Sequence, residues 1–340
     1  MAVPRSQQVL RWLNLGHLSA PALHQSYQAL AELRRAEDPP WLLLASAEAH
    51  LSLGAAQTAA AELDCDATQN LIVVQRPVGG GLVWIEPAHL NYFLLATPSS
   101  VRRRPEDWLE ILAPSLCALH AVFGLRVELA AEQELRCAGR RIGSTGAASL
   151  GSSVVLAGSF LLRGDWISFC NSVAVPSPDF RQALERALAA SLLTWEEAGV
   201  LVPSHAQLAD AWREILQAEG WQIEVDALRP AEQQAIAAQE LEAVDWESRG
   251  RRRVRDGIKL RAGAFLTEQH WPEGWLRVWT EDGRYRAVDS NLFPAELAWA
   301  LTGIEAASPM LPLLLEGYLG AQAVLWQQRL ESLAVWSDHQ

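Results

Sequence analysis

Three consecutive glycines, Gly79, Gly80 and Gly81, interrupt the apolar strand pattern of this chain. The run "NLIVVQ" precedes them and "LVWIEP" follows them, and each run has the composition of a β-strand. Glycine has no Cβ and adopts backbone conformations that other residues avoid. Three in a row therefore predict a loop between two strands whose backbone comes close to another group, either of the protein itself or of a ligand.

A second glycine-rich stretch, "GRRIGSTGAASLG", covers residues 139–151. Neither stretch has the Lys-Ser/Thr ending of a P-loop or the GxGxxG spacing of a dinucleotide-binding fold. Both are bordered by arginine, the first at Arg76 and the second at positions 140 and 141. Exposed backbone N–H groups beside a cation suit a phosphate or carboxylate ligand. The simpler alternative is that the glycines only form tight turns or bulges.

The 340 residues are 50% hydrophobic and 20% charged, which is typical of a globular protein and not of a disordered one. The formal net charge of -12 disfavours free nucleic acid and anionic lipid as partners. The four cysteines form no CxxC pair and the eight histidines form no HxH or HxxxH pair. We therefore expect reduced thiols, a cytoplasmic location and no metal site. No apolar run is long enough to span a membrane, and the N-terminus lacks the apolar core of a signal peptide.

Strands and helices follow one another irregularly in the first half of the chain, and a helical block is predicted at roughly 178–243. Segments of alternating apolar and polar residues come next, with Asp282-Gly283 as a hairpin turn. Irregular succession disfavours a doubly wound parallel sheet. We predict an α+β fold, with a mixed-sheet catalytic domain at 1–245 and a small α/β accessory domain at 246–340.

Three segments carry a resemblance to a known family. The segment "QRPVGGGLVWIEPAHLNYFLL" resembles the triple-glycine segment of lipoate–protein ligases, and "CAGRRIGSTGA" is similar to the lysine-bearing segment of those ligases and of octanoyltransferases. The C-terminal "GIKLRAGAFL" and "RYRAVDSNLF" are similar to the accessory domain of the ligases. On these residues the chain is identified as a member of the biotin/lipoate A/B protein ligase family, over nearly its whole length.

The resemblance implies a groove along a central mixed sheet that holds an acyl chain and its adenylate. The catalytic lysine of the family falls on Arg141 of this chain. Gln133 and Glu134 stand where the family has Asn-Asp, so the resemblance implies that they bind the cofactors ATP and Mg²⁺. The residues implied to bind the substrate are Arg76, Gly79, Gly80, Gly81, Asn91, Ser144, Thr145 and Gly146.

The implied activity is that of an ATP-dependent ligase, a monomer that joins lipoate or octanoate to a lysine of a lipoyl carrier domain. Arginine can hold a developing negative charge, but it cannot exchange a proton at neutral pH. A member that binds an acyl group or carrier without turnover is the alternative, because Ile85-Glu86 also replaces the family's His-Asp. An octanoyltransferase needs a cysteine nucleophile, whereas Ser177 stands at that position and Cys170 lies seven residues earlier.

Overall fold

The computed structural model describes residues 8–98, 106–130, 133–248, 250, 252 and 254–334. Contacts divide the chain into two compact units. The first unit comprises Met1–Ala60, Asp66–Asp165 and Leu193–Ser248, and the second comprises Ala61–Cys65, Trp166–Leu192 and Arg249–Gln340. The second unit thus includes two segments that precede residue 246. Separate domains at 1–245 and 246–340 stay a prediction, because compact units need not fold on their own.

The strands are β1 (Gln8–Leu18), β2 (Trp41–Ala47), β3 (His50–Leu53), β4 (Val73–Gln75), β5 (Val83–Ile85), β6 (Leu90–Ala96), β7 (Glu128–Ala130), β8 (Glu134–Cys137), β9 (Arg140–Arg141), β10 (Gly143–Leu150), β11 (Ser153–Phe160), β12 (Trp221–Asp226), β13 (Gly257–Arg261), β14 (Ala264–Trp271), β15 (Gly274–Glu281) and β16 (Arg284–Ser290). The helices are α1 (Ala20–Leu33), α2 (Ala59–Glu62), α3 (Glu106–Val122), α4 (Trp166–Ser172), α5 (Pro178–Ser191), α6 (His205–Ala218), α7 (Pro230–Ala238), α8 (Ala295–Leu301), α9 (Met310–Leu319) and α10 (Ala323–Ala334).

The largest sheet among the described residues has the strand order β10-β11-β6-β2-β1-β12 and belongs to the first unit. Strand β1 runs parallel to both β2 and β12. The pairs β2–β6, β6–β11 and β11–β10 are antiparallel. A mixed sheet with helices that do not alternate regularly with its strands confirms the predicted α+β fold class.

The two faces of this sheet carry separate apolar cores, because successive side chains of a strand point to opposite faces. Leu42 and Leu44 of β2 belong to a core that α3 and α6 cover. Leu43 and Ala45 belong to a second core that α1 covers, with Tyr27 as its largest helical contribution. The second face is also the one against which the small sheet of β3 to β5 packs, through Val83 and Ile85 of β5. Leu135 of β8 and Ile142, directly after β9, belong to the first core.

An aromatic cluster fills the first core. The ring of Tyr92 lies 5.4 Å from that of Phe160 and 5.2 Å from that of Trp212. A Cβ added at Gly158 would lie 2.1 Å from the Tyr92 Cζ. Glycine at this position therefore lets the tyrosine ring lie flat against the strand, and any larger side chain would displace it.

Arg11 joins β1 to the segment that follows β12. Its two terminal nitrogens donate to both carboxylate oxygens of Glu232 at 2.6 and 2.9 Å, and its Nε donates to Asp226 at 2.8 Å. The guanidinium also lies 4.5 Å from the ring of Trp41. Burial opposes ionisation of Glu232, but the hydrogen bonds and charge of Arg11 hold the pKa of that carboxyl below its ordinary value. This ion cluster anchors α7 to the sheet.

The predicted helical block at 178–243 is wrong near its end, where Trp221–Asp226 forms β12. Gly220 adopts a φ of 94° directly after α6 and allows the chain to turn into the strand. The strand then pairs in register with β1, from Gln8 opposite Trp221 to Leu13 opposite Asp226. Its outer residues are largely exposed, so its composition lacks the apolar run that marks an interior strand.

The second unit contains a four-stranded antiparallel sheet among its described residues, in the order β13-β14-β15-β16. Asp282 and Gly283 have φ values of 50° and 77°, which confirms the predicted hairpin turn between β15 and β16. Helices α8 to α10 contribute Leu297, Leu315 and Trp326 to a core with this sheet. None of the helices in the described ranges has both the length and the apolar character needed to cross a membrane.

Candidate functional site

The glycine triplet forms the loop between β4 and β5 in the small sheet β4-β3-β5. Gly80 has a φ of 102°, a conformation that favours glycine. A Cβ at Gly79 or at Gly81 would have no atom within 4 Å, so one side of the loop is open. The sequence prediction that bare backbone is presented here agrees with this geometry.

Arg76 is buried beneath the loop and binds its carbonyl groups. The guanidinium donates to the carbonyl oxygens of Gly79 at 2.9 Å and Gly81 at 2.6 Å. It also donates to the carbonyl oxygen of Ser52 at 2.6 Å. In a trans peptide the N–H points opposite to the C=O. The N–H groups of Gly80 and Leu82 are therefore turned away from the carbonyl oxygens that bind Arg76. Direct binding of the substrate by Arg76 stays a prediction.

Gly54 supports the loop from below, and the sequence reasoning did not assign it a role. A Cβ at this position would lie 2.1 Å from the carbonyl oxygen of Gly80. The Gln57 side chain accepts from the Gly54 N–H at 3.0 Å, and the Gln75 side chain donates to the Gly54 carbonyl oxygen at 2.6 Å. The loop therefore rests on a glycine whose own backbone is fixed by two side-chain amides.

Replacing Gly54 by alanine is expected to lower the free energy of unfolding by about 1–3 kcal/mol, because the methyl group forces the Gly80 carbonyl to move. Gly79→Ala is the matched control, since a methyl group there meets no atom within 4 Å. Urea denaturation of both variants measures the difference. Equal stability of the two variants would contradict the close approach of Gly54 to the loop.

Asn91, Ser144 and Gly146 come together on neighbouring strands of the large sheet. Asn91 on β6 pairs with Ser159 on β11, and Ser159 pairs with Ser144 on β10. The Asn91 side chain is buried and donates to the carbonyl oxygen of Ala45 at 3.3 Å. Gly146 lies two residues further along β10, opposite Ala157. These three predicted substrate residues thus share one region of the sheet.

Thr145 points elsewhere. Its hydroxyl donates to the carbonyl oxygen of Gln133 at 3.2 Å. Gln133 has a φ of 58° and occupies the turn before β8, where its N–H donates to the Ala130 carbonyl oxygen at 3.0 Å. Thr145 therefore stabilises the turn that carries Gln133. The binding roles proposed for both residues remain predictions.

The hairpin of β8 and β9 carries the catalytic candidate. Arg141 lies directly opposite Arg136, and Glu134 is two residues before Arg136 on the same strand. The Glu134 carboxylate accepts from Arg136 Nε at 3.2 Å, and its other oxygen lies 3.7 Å from Arg141 Nη1. The side chain of Glu134 is 4% exposed, that of Arg136 13% and that of Arg141 24%. Arg141 is thus accessible from one side while its charge is fixed by a buried carboxylate.

Three buried side chains form a hydrogen-bonded chain on the same face of the large sheet. Tyr27 Oη lies 3.1 Å from His24 Nδ1, and His24 Nε2 lies 3.0 Å from His50 Nε2. His50 Nδ1 lies 2.7 Å from the carbonyl oxygen of Glu48, which only accepts. Neutral rings satisfy every contact when His50 carries its proton on Nδ1 and His24 on Nε2. Burial, the neighbouring His50 and the charge of Arg76 lower the pKa of His24 well below its ordinary value.

The free energy of unfolding is expected to fall as the pH drops below about 6.5, because buried histidines stay neutral while the unfolded chain protonates. Burial lowers the pKa of His120 to about 4 and also lowers that of His50. Each such group contributes a slope of up to about 1.4 kcal/mol per pH unit below its unfolded pKa. Urea denaturation at several pH values measures the slope. His120→Leu should remove the contribution of His120 to the slope of unfolding free energy against pH. An unchanged slope in that variant would contradict the prediction.

Ser177 and Cys170, the alternatives for a transferase nucleophile, lie in the second unit. The Ser177 hydroxyl caps α5 by accepting from the Phe180 N–H at 3.1 Å, and it hydrogen-bonds to the Glu268 carboxylate. Burial, with a contribution from Glu185, raises the pKa of the Cys170 thiol to about 12. A nucleophilic cysteine needs a lowered pKa. Neither environment activates a nucleophile.

The two implied cofactors fit the site differently. Arginine side chains on the β8–β9 hairpin, and the N–H groups of the glycine loop that do not face Arg76, suit the phosphates of ATP. Among the described residues, no three or more His, Cys, Asp and Glu side chains are grouped so as to hold a metal ion. Glu134 has its carboxylate between two arginines. These side chains therefore do not fit a Mg²⁺ ion bound by the protein.

Comparison with known protein families shows to which family this chain belongs. The family model described as "Lipoyl protein ligase A/B catalytic domain" matches residues 20–191, just over half of the chain. This chain belongs to the lipoyl protein ligase A/B family. The matched range begins with α1 and ends with α5, so it includes the glycine loop and the β8–β9 hairpin. The family expected from the sequence is confirmed. No curated protein matches the sequence.

Solved structures of lipoyl ligases share the fold of this family member. A bipartite lipoate protein ligase of Thermoplasma acidophilum, described with its E2 lipoyl domain, gives a TM-score of 0.60 at 16% identity over 68% of this chain and 91% of that chain. Lipoate-protein ligase A bound with ATP gives 0.56 at 13% identity over 68% and 93%. LipL1 of P. falciparum in complex with lipoate gives 0.53 at 10% identity over 95% and 99%.

Proposed function

We propose that this protein is a lipoate–protein ligase that activates lipoate or octanoate with ATP and transfers the acyl group to a lysine of a lipoyl carrier domain. The observation that carries the proposal is the glycine loop, in which Arg76 binds the carbonyl oxygens of Gly79 and Gly81, so that the N–H groups of the same peptides, those of Gly80 and Leu82, are turned away from it. Membership of the family and the shared fold with ligases that bind lipoate and ATP support it.

The first step joins the acid to the nucleotide. The carboxylate oxygen of the acid attacks the α-phosphorus of ATP, and the bond to pyrophosphate breaks. Arg141 would hold the negative charge that develops on the phosphoryl oxygens, which needs a cation and no proton transfer. The N–H groups of the glycine loop that do not face Arg76 would bind the oxygens of the mixed anhydride.

The second step releases AMP. The neutral amine of the carrier lysine attacks the acyl carbonyl carbon, the bond to AMP breaks, and the amine loses a proton to solvent. Arg141 would stabilise the leaving phosphate in this step as well. The proposed enzyme works as a monomer in the cytoplasm, where lipoyl carrier domains would meet it.

The experiment incubates the protein with lipoate or octanoate, Mg-ATP and a lipoyl domain, and follows the mass of the lipoyl domain. A mass increase equal to one acyl group, dependent on both ATP and the acid, is the expected result. Failure to acylate the lipoyl domain under every condition would contradict the proposal. Transfer from an acyl carrier in the absence of ATP would point to octanoyltransferase activity instead.

A non-catalytic acyl-binding protein is the second candidate, favoured by the replacement of the family lysine by Arg141 and of its His-Asp by Ile85-Glu86. Fold and family membership do not guarantee turnover. Calorimetry with lipoyl-AMP separates the two candidates. Binding of lipoyl-AMP without acylation of any lipoyl domain would support the non-catalytic function.

A further inference from the structure

The Glu134 carboxylate lies at the centre of a small cluster of charges on the β8–β9 hairpin. Cross-strand partners share a face of a hairpin, and so do residues two apart on one strand. Arg136, Arg141 and Glu134 therefore lie on the same face. Arg140, opposite Cys137, lies on the other face. Arg136 and Arg141 lie directly opposite each other, and the Glu134 carboxylate, which is almost completely buried, lies within 4 Å of both guanidiniums.

The two guanidinium groups around Glu134 make its carboxylate unsuited to binding a divalent metal ion. Mg²⁺ requires a near-octahedral set of oxygen ligands, usually one or two carboxylates with waters and phosphate oxygens. Here each oxygen of the single carboxylate already faces a guanidinium, at 3.2 and 3.7 Å. Two like unit charges about 4 Å apart repel by roughly 1–4 kcal/mol near a protein surface. A divalent ion carries two unit charges, so it would experience about twice that repulsion from each of these arginines.

The Glu134 carboxylate is well suited to orienting the two arginine side chains next to it. A guanidinium is planar and presents five N–H groups in a fixed fork, so a carboxylate at one edge fixes the direction of the others. Planar, bidentate contact is how arginine recognises phosphate most strongly. The buried Glu134 holds the charged ends of Arg136 and Arg141 near one another, on the hairpin where the family carries its catalytic cation.

We propose that Glu134 is a positioning counter-ion and that Arg136 and Arg141 together bind the phosphate of the acyl-adenylate, in place of a protein-bound Mg²⁺ ion. This inference rests on the proposed function and extends it. It assigns Arg136 as a second phosphate-binding residue. Mg²⁺ then enters only as the ion that accompanies ATP, with no ligand from Glu134.

The first test measures binding of lipoyl-AMP by calorimetry, with Mg²⁺ and with EDTA. We expect the same Kd within about twofold in both conditions, and a loss of tenfold or more in Arg136→Met, since a charge-assisted pair to phosphate is removed. Arg140→Met removes the same charge from the opposite face and should change the Kd by less than about twofold. Binding of free lipoate, which lacks the phosphate, should be unchanged in Arg136→Met, which separates a lost contact from a misfolded site.

The second test addresses Glu134 through the metal. Electron paramagnetic resonance measures the Mn²⁺ bound by the protein, alone and with lipoyl-AMP. We expect the wild-type protein and Glu134→Gln to bind the same amount of Mn²⁺. Glu134→Gln should weaken lipoyl-AMP binding and leave lipoate binding intact. A bound Mn²⁺ that disappears in Glu134→Gln, or a Kd for lipoyl-AMP that Arg136→Met leaves unchanged, would overturn the inference. Failure of the wild-type protein to bind lipoyl-AMP at all would overturn the proposed function, and this inference with it.

Discussion

Replacing Arg11 by alanine is expected to lower the free energy of unfolding by about 3–5 kcal/mol, the range measured when one partner of a buried ion pair is removed. The Glu232 side chain is 4% exposed and binds Arg11 through both carboxylate oxygens. Without the guanidinium, that carboxylate must either remain buried and unpaired or take up a proton. Either outcome also loosens α7, whose first turn contains Glu232.

Urea denaturation at neutral pH measures the loss. Arg163→Ala is the matched control, because Arg163 pairs with Glu196 through side chains that are 57% and 60% exposed. Exposed pairs contribute about 0–1 kcal/mol, so this control should stay near the wild-type value. Replacing Arg11 and Glu232 together by methionine and leucine should recover part of the loss, because no buried charge is left unpaired: the remaining partner of Arg11, Asp226, is 39% exposed and lies 3.6 Å from Arg229. Equal losses in Arg11→Ala and Arg163→Ala would contradict the buried ion pair.

Local patterns in the sequence were sufficient to predict much of the fold. The glycine triplet between two apolar runs predicted a loop between strands, which the structure places between β4 and β5. The alternation after residue 256 and the Asp282-Gly283 pair predicted the hairpins of the second unit. These features depend on neighbouring residues, whose periodicity and turn chemistry a single sequence displays directly.

The same local patterns do not predict contacts between residues that are far apart in the sequence. The Arg76 guanidinium donates to the carbonyl oxygen of Ser52, 24 residues earlier in the chain, and its binding to a ligand stays a prediction. Gly54 touches Gly80, and His24 contacts a histidine that lies 26 residues away. Such pairs are determined by strand register and helix placement, which a single sequence does not display. The charged environment of Glu134 likewise depends on the pairing of β8 with β9.

Replacing Arg141 by alanine is expected to lower the rate of carrier acylation by about 10²–10³-fold on the proposed function. Removal of one preorganised group that stabilises developing charge has an effect of this size. Arg141→Lys should retain activity within about tenfold of the wild-type protein, because lysine is the residue that the family carries here and also supplies a cation. Arg140→Ala, a neighbour on the opposite face of the hairpin, is the control for loss of charge alone.

The outcomes of this series separate the two candidate functions. If the wild-type protein is active, loss of activity in Arg141→Ala together with retained activity in Arg141→Lys would show that residue 141 acts electrostatically. Arginine and lysine differ in shape but not in charge. If Arg141→Ala is as active as the wild-type protein, the catalytic assignment of Arg141 is contradicted. An inactive wild-type protein that becomes active as Arg141→Lys would support the non-catalytic function, because the scaffold would then lack only the geometry of the ammonium group. Steady-state assays of carrier acylation, with lipoyl-AMP supplied in place of lipoate and ATP, test the transfer step by itself and show which of the two steps depends on Arg141.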